Sequence, residues 1–504
     1  MKSRRRRRES TASCSTVDPS LSLSPSSGGD VDRLTELPDV LRLRILSLLP
    51  LKFAIRTGAL SSRWRDFWRY RWPQPSIIDI TAPPSLSQSQ VVSAVEDFFS
   101  RRGRGRGRID VLQIIFSPSP RHVSDLKRWL DYAAACSVSD LHLDLSPPNH
   151  FSDSSRRRRA RAAAAASPIL NFNCESPTLT RLSLRGFHLT SPPPSFKKLA
   201  NLEILNLCEV YLSYASLRRI LANCPLLRAL SIRRCPDLKK VVVPSSALRL
   251  TRLTVVDCRK ASEVLVTNLG LRSFRFSGPL LKNYHIESAA ALEDVYISSG
   301  GAVPAMPRGD LVRPLGKLAN LKVLTLCSLA LEQIGALSAR AEVGFRWLPN
   351  LVELQLLMVM MTESNLSDIY TFFKLCPSPK LEKVFVELPM NACDSSMKTY
   401  LEVPKEEPPK GGFNNLKVVK MSGFKGHLHE TELAGFLLNN AGILEHFVVT
   451  VSLEHIEGEC ENHKRDLLQY LTMQLSMLPK TSAKADIILT ESDDLQFRPV
   501  HSQI

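Results

Sequence analysis

Residues 202–207 read LEILNL, and the same pattern returns as LRALSI at 227–232, LTRLTV at 250–255 and LRSFRF at 271–276. Each window is apolar-x-x-apolar-x-apolar. Upstream the spacing recurs at Val138/Leu141/Leu143 and Leu179/Leu182/Leu184. Downstream it continues through Leu292/Val295/Ile297, Leu321/Leu324/Leu326, Leu351/Leu354/Leu356, Leu381/Val384/Val386, Leu416/Val419/Met421 and Leu444/Phe447/Val449. From the second unit to the sixth the leading residues stand 23, 25, 23 and 21 positions apart, and later spacings stretch to about 30.

That period and signature are those of leucine-rich repeats, with one short strand per unit and a return segment behind it. The two alternating apolar residues of each strand point inward, and the return adds more apolar side chains. One unit buries too little to offset the ordering of its own chain, at about 1.5–3 kcal/mol per buried side chain. Stacked neighbours close a continuous core. The expected class is therefore α/β: an irregular solenoid of about twelve parallel strands with helical or irregular returns. Helical returns are readable at Tyr214–Ala222, with Leu217, Ile220 and Leu221 on one face, and at Asn365–Phe373, with Leu366, Ile369, Phe372 and Phe373. Cys-Pro pairs at 224–225, 235–236 and 376–377 punctuate the turns.

The chain has 504 residues, 44% apolar and 23% charged, an ordinary balance for a globular protein. No stretch approaches the about 18 uninterrupted apolar residues of a spanning helix, so no membrane role is expected. The basic start, Arg4–Arg8 followed by Ser-rich sequence, does not read as a secretory signal. The net charge of +17 would suggest a nucleic-acid binder, but three runs of five arginines carry most of it: Arg4–Arg8, Arg101–Arg108 and Arg156–Arg161. Without them the charge falls to +2, and no aromatic residues are interleaved for base stacking. Eleven cysteines lie scattered with no Cys-x-x-Cys, which reads as reduced thiols in the nucleus or cytoplasm.

Residues 37–72 read LPDVLRLRILSLLPLKFAIRTGALSSRWRDFWRYRW. Pro38 suits a first helical position. Val40, Leu41, Ile45, Leu48 and Leu49 follow at helical spacing, and Pro50 ends the element. A second short helix would carry Phe53, Ala54 and Ile55. A third, capped by Ser61 or Ser62, would carry Trp64, Phe67 and Trp68. Three short helices cannot build a full core alone, so their apolar faces need a partner.

These residues resemble the F-box of plant F-box/leucine-rich-repeat proteins, through Leu37-Pro38-Asp39, Ile45 to Pro50, Arg56-Thr57 and Leu60 to Arg65. The segment from Val123 to Leu143 is similar to the link between F-box and repeats in that family. The stretch from Leu416 to Leu489 resembles the FBD domain that closes many such chains. The domain reading is a disordered basic tail at 1–32 and an F-box at 33–72. An Arg/Gly-containing linker follows at 73–137, then repeats at 138–400 with an Arg/Ala-rich insertion near 146–167. An FBD-type cap occupies 401–490, and a tail 491–504.

The resemblance implies a non-catalytic substrate receptor of an SCF-type (Skp–cullin–F-box) ubiquitin ligase. Its F-box would dock on a Skp-type adaptor and through it on cullin, while the repeats hold an unidentified protein substrate. By positional match Leu37, Pro38, Ile45, Leu48, Leu49, Leu60 and Trp64 would carry the adaptor contact. Period-2 alternation puts Arg181, Arg185, Arg233, Arg252 and Arg275 on the outward, concave face of the strands, between Asp140 and Asp144 before and Glu353 and Glu387 after. Such arginines suit an acidic or phosphorylated segment. No catalytic motif, cofactor or metal site is expected. No phosphate-binding Gly-rich loop occurs, and His427-x-His429 with His446 and His455 lacks metal spacing. The alternatives are an adaptor-independent interaction scaffold and, less favoured, a nucleic-acid binder acting through the Arg runs.

Overall fold

A computed structural model divides the chain into two compact units, residues 1–75 and 76–504. In the first it describes residues 37–48, 56–59 and 64. In the second it describes 77–502 apart from 82–86, 103–108, 117–121, 146–176, 190–198, 300–317, 339–347, 390–406, 452–460, 492–496 and the single positions 280, 282, 288 and 410. The expected tail at 1–32, the helix carrying Phe53 to Ile55, most of the third helix and the Arg/Ala-rich insertion lie outside the described residues.

In the first unit a helix spans Asp39–Leu48. Pro38 precedes it rather than opening it. Its carbonyl accepts from the Leu41 and Arg42 N–H groups at 3.0 and 3.1 Å, so it closes the first turn from the capping position. Arg42 turns back onto Asp39. Leu46 and Trp64 are buried, whereas Val40 and Leu41 stand 76% and 50% exposed.

The second unit is built on one fifteen-stranded sheet in which every neighbouring pair is parallel. All twelve expected strands are present, from Asp140–Asp144 to His446–Val451. Three more join them. Ile77–Thr81 and Val111–Ile115 pair in front, and Asp486–Thr490 pairs behind. The expected linker at 73–137 therefore contains the start of the array. Ile109/Leu112/Ile114 repeats the apolar spacing with isoleucine leading, and all three side chains are fully buried. The strands at 77 and 486 lack an apolar leader, Pro75 and Lys484 standing in its place, which hid them. Helices Gln88–Arg102 and Val123–Ala135 complete these first units. Trp129 packs against Phe116 at 5.5 Å and donates to Glu96 at 3.1 Å.

In the twelve expected repeats and the one led by Ile109, the leading residue and the second and fourth strand residues fill the core. Leu202, Leu205 and Leu207, like Leu250, Leu253 and Val255, are at most 1% exposed. Consecutive units are also tied outside the strands. Asn201, Asn320, Asn350 and Asn415 each precede a leading leucine and donate to a carbonyl of the preceding turn at 2.6–2.9 Å. Behind the strands, Glu209, Arg234 and Asp257 adopt positive φ. That conformation costs about 1–2 kcal/mol for a non-glycine residue. Here each N–H bonds the carbonyl ending the next strand, at 2.9, 2.8 and 2.7 Å, which offsets the cost.

Unit length decides the return segment. The short units between Leu227 and Leu292 return through strands Lys240–Val243, Glu263–Val266 and Asn283–Ile286, which form a second parallel sheet, rather than through helical or irregular segments. Their β-branched residues suit strands, and about 21–23 residues leave little room for a helix as well. The longer units return through helices Ser328–Ser338, Glu363–Leu375 and Leu428–Asn440. The readable helices appear as Tyr214–Asn223, capped by Ser213, and Glu363–Leu375, where Thr362 and Asn365 form a capping box. Asn365, formally a glycosylation sequon with Leu366 and Ser367, is thus committed to the helix start. Gly423, at φ 79°, makes the bulge in Val418–Phe424. A Cβ there would meet the Leu388 carbonyl oxygen at 3.0 Å.

Candidate interaction surfaces

On the described helix of the front unit the exposed positions are Asp39, Val40, Leu41 and Arg44, two apolar side chains between two charged ones. Of the expected adaptor-facing residues, Leu37 and Ile45 are half-buried, Pro38 is exposed and Trp64 is buried at 3%. Leu48 ends the helix, and Leu49 and Leu60 lie outside the described residues. The larger exposed apolar side chains on this helix are Val40 and Leu41. Helical periodicity had grouped them with the others, but only burial separates an inward from an outward position on so short a helix.

The second surface is the face of the sheet opposite the core. With every strand in register, the first, third and fifth residues form three rows across it. In the third-residue row lie Gln113, His142, Ser183, Asn206, Ser231, Thr254 and Arg275, then Tyr296, Thr325, Gln355, Phe385, Lys420 and Val448.

All five expected arginines stand on this face, but register gives three of them neighbours of opposite charge. Arg181 lies beside Asp140 and bonds it at 2.9 Å. Arg185 reaches both Asp144 and Glu209 at 3.2 Å. Burial disfavours its charge, yet the Glu209 hydrogen bond and charge, with that of Asp144, hold its pKa above the usual arginine value. Arg275 bonds Asp294 at 2.7 Å. Arg233 donates to Ser231 at 3.3 Å, and Arg252 is exposed. Three of the five arginines are thus carboxylate-paired, so the face is not a uniform cationic strip. The spacing of 41 residues between Arg181 and Asp140 hid this in the sequence.

From Tyr296 to Val448 the outward side chains of the third-residue row are at most 8% exposed. The covering element is Phe497–Ser502, within the stretch read as a tail. Its Pro499–Ser502 turn is closed by a 3.2 Å backbone hydrogen bond. His501 enters the face with Nε2 2.6 Å from Asp294 Oδ1 and Nδ1 2.6 Å from Thr325 Oγ1, and its ring meets Tyr296 edge-on at 5.4 Å. The Val500 N–H donates to Glu353 at 2.7 Å. Lys420 Nζ donates to the Phe497 carbonyl at 3.1 Å, and the Phe497 ring lies 5.1 Å from His446.

Electrostatics follow these contacts. Burial would push the Asp294 carboxyl up, but hydrogen bonds from His501 and Arg275, with their charges, hold it below the usual carboxylate range. Burial does push Glu353 up, partly opposed by the Val500 N–H. Of the residues in these contacts, the sequence had singled out only Glu353, Arg275 and, for a metal role, His446. The available signal was a run of outward strand positions occupied by Tyr, Thr, Gln, Phe and Lys beside a Phe-x-Pro-x-His segment. His427 and His429 are held 3.3 and 3.0 Å from Glu430 and Glu432 at a helix start.

A leucine-rich-repeat family, described as At1g61320/AtMIF1, LRR domain, matches residues 107–486. The chain belongs to that family. An F-box domain matches residues 34–73, so this family member is an F-box protein with its repeats downstream. Its relatives in Arabidopsis thaliana include FBD-associated F-box protein At5g22730, 23% identical over 91% of the chain and 94% of the relative. Putative FBD-associated F-box protein At1g61330 is 26% identical over 84% and 92%. F-box/FBD/LRR-repeat protein At1g78750 is 23% identical over 91% and 96%. The FBD in these names accords with the resemblance of the last repeats.

Proposed function

We propose that this F-box/leucine-rich-repeat chain is the substrate-recognition subunit of an SCF-type ubiquitin ligase. The F-box docks a Skp-type adaptor, and the sheet face holds the protein to be modified. In this reading the chain performs no chemistry. It raises the effective concentration of a substrate lysine near the loaded conjugating enzyme. The observation that carries the reading is an F-box ahead of the array, with Val40 and Leu41 turned to solvent on its first helix. The seven described cysteines, all free thiols, fit a nuclear or cytoplasmic setting.

The test is co-purification of a Skp-type adaptor and cullin with the full chain and with a Val40→Glu, Leu41→Glu variant. Both side chains are exposed, so the variant should fold like the parent and lose the adaptor. Capture by neither chain would refute the assignment and leave an adaptor-independent scaffold, and equal capture by both would refute the role of Val40 and Leu41 in the adaptor contact.

A further inference from the structure

We propose that Asp294, Thr325, Glu353 and Lys420 form a binding site for a protein segment with an aromatic residue four positions before a histidine that sits in a turn, and that Phe497–Ser502 is its internal occupant. The inference rests on the reading that the sheet face takes a protein target, and it supplies both the chemistry of that target and its competitor.

The geometry separates an occupant from a structural cap. A cap would cover the open edge of the sheet, yet the edge strand Asp486–Thr490 remains half-buried to exposed. Phe497–Ser502 seats instead on the sheet interior, with contacts on five strands from Asp294–Ser298 to His446–Val451. The grip is also unlike core packing. A carboxylate and a hydroxyl hold the two imidazole nitrogens, a second carboxylate accepts a backbone N–H, and an ammonium donates to a backbone carbonyl. Keeping Asp294, Glu353 and Lys420 on buried or half-buried strand positions costs desolvation that apolar residues would avoid. Such groups read a ligand: two of the contacts engage backbone groups whatever the side chains, and the Asp294–Thr325 pair selects an imidazole. The Pro499–Ser502 turn presents Val500 N–H and His501 together, so a target need reproduce only that turn and an aromatic ring over His446.

The test uses a fluorescein-labelled peptide of residues 495–504, LQFRPVHSQI, in fluorescence polarisation against the full chain, a chain lacking 495–504, and a full chain carrying His501→Ala. No adaptor is present, so the outcome is independent of whether the F-box engages a ligase. The truncated chain should keep its circular dichroism and bind the peptide. The full chain should bind at least tenfold more weakly, and His501→Ala should restore binding in trans. A peptide with His501→Ala should fail to bind any of them. A truncated chain that unfolds would make the segment a structural strap and overturn the proposal. So would a folded truncated chain that ignores the peptide, or one that binds both peptides equally.

Discussion

Replacing Asp368 by asparagine should stabilise the protein at neutral and alkaline pH while leaving it unchanged in acid. Asp368 is half-buried on helix Glu363–Leu375, and one of its carboxylate oxygens is buried with no hydrogen-bond partner among the described residues. Burial, and then the charge of Glu332 on helix Ser328–Ser338, push its carboxyl up to about 7. The folded state therefore holds this proton more tightly than the unfolded state, whose carboxyl titrates near 3.8. Stability is full below the unfolded value, falls as pH rises toward 7, and levels off above it. At about 1.4 kcal/mol per pH unit the whole shift would amount to about 4 kcal/mol. Solvent screening at a half-buried position reduces this to about 1–2 kcal/mol. Guanidinium unfolding of parent and Asp368→Asn at pH 4, 6 and 8 measures the difference. The asparagine chain should match the parent at pH 4 and exceed it by about 1–2 kcal/mol at pH 8. Parallel curves across the range, or a less stable variant at pH 8, would refute the reasoning.

Two further substitutions probe the joints between repeats. Asn268 is 1% exposed, donates to the Ala247 and Leu250 carbonyls at 2.5 and 3.0 Å, and accepts from Gly270 N–H at 2.5 Å. Asn268→Ala strands those backbone groups, and thermal melting should show a loss of about 2–4 kcal/mol; a loss under about 0.5 would mean water replaces the side chain. Arg185→Leu removes the cation between Asp144 and Glu209 and should cost about 1–3 kcal/mol in denaturant unfolding. Adding Asp144→Asn should recover part of that loss, and an additive double variant would show that the pair is not coupled.

The strand positions were legible because the code is local. A leading leucine with apolar residues three and five places on is enough to specify a buried strand, whatever lies elsewhere in the chain. The same code, carried by isoleucine at Ile109, Leu112 and Ile114, extends the array into the expected linker. Return segments were half legible. Tyr214–Asn223 and Glu363–Leu375 show helical periodicity, whereas KVVV at 240–243 and EVLV at 263–266 are too short for a period to declare itself. On the open face, alternation identified which residues point outward but not what meets them. Arg181 pairs with a residue 41 positions away, and His501 reaches across 207 positions to Asp294.

By itself, then, the amino-acid order determined the family, the parallel array and the F-box ahead of it, since each is written in contacts between residues close along the chain. Only the tertiary structure decided that carboxylates neutralise most of the arginine row, and that Phe497–Ser502 lies over the face expected to hold a target. Both depend on register and chain return, which bring distant residues within hydrogen-bond reach and leave no local periodicity to read.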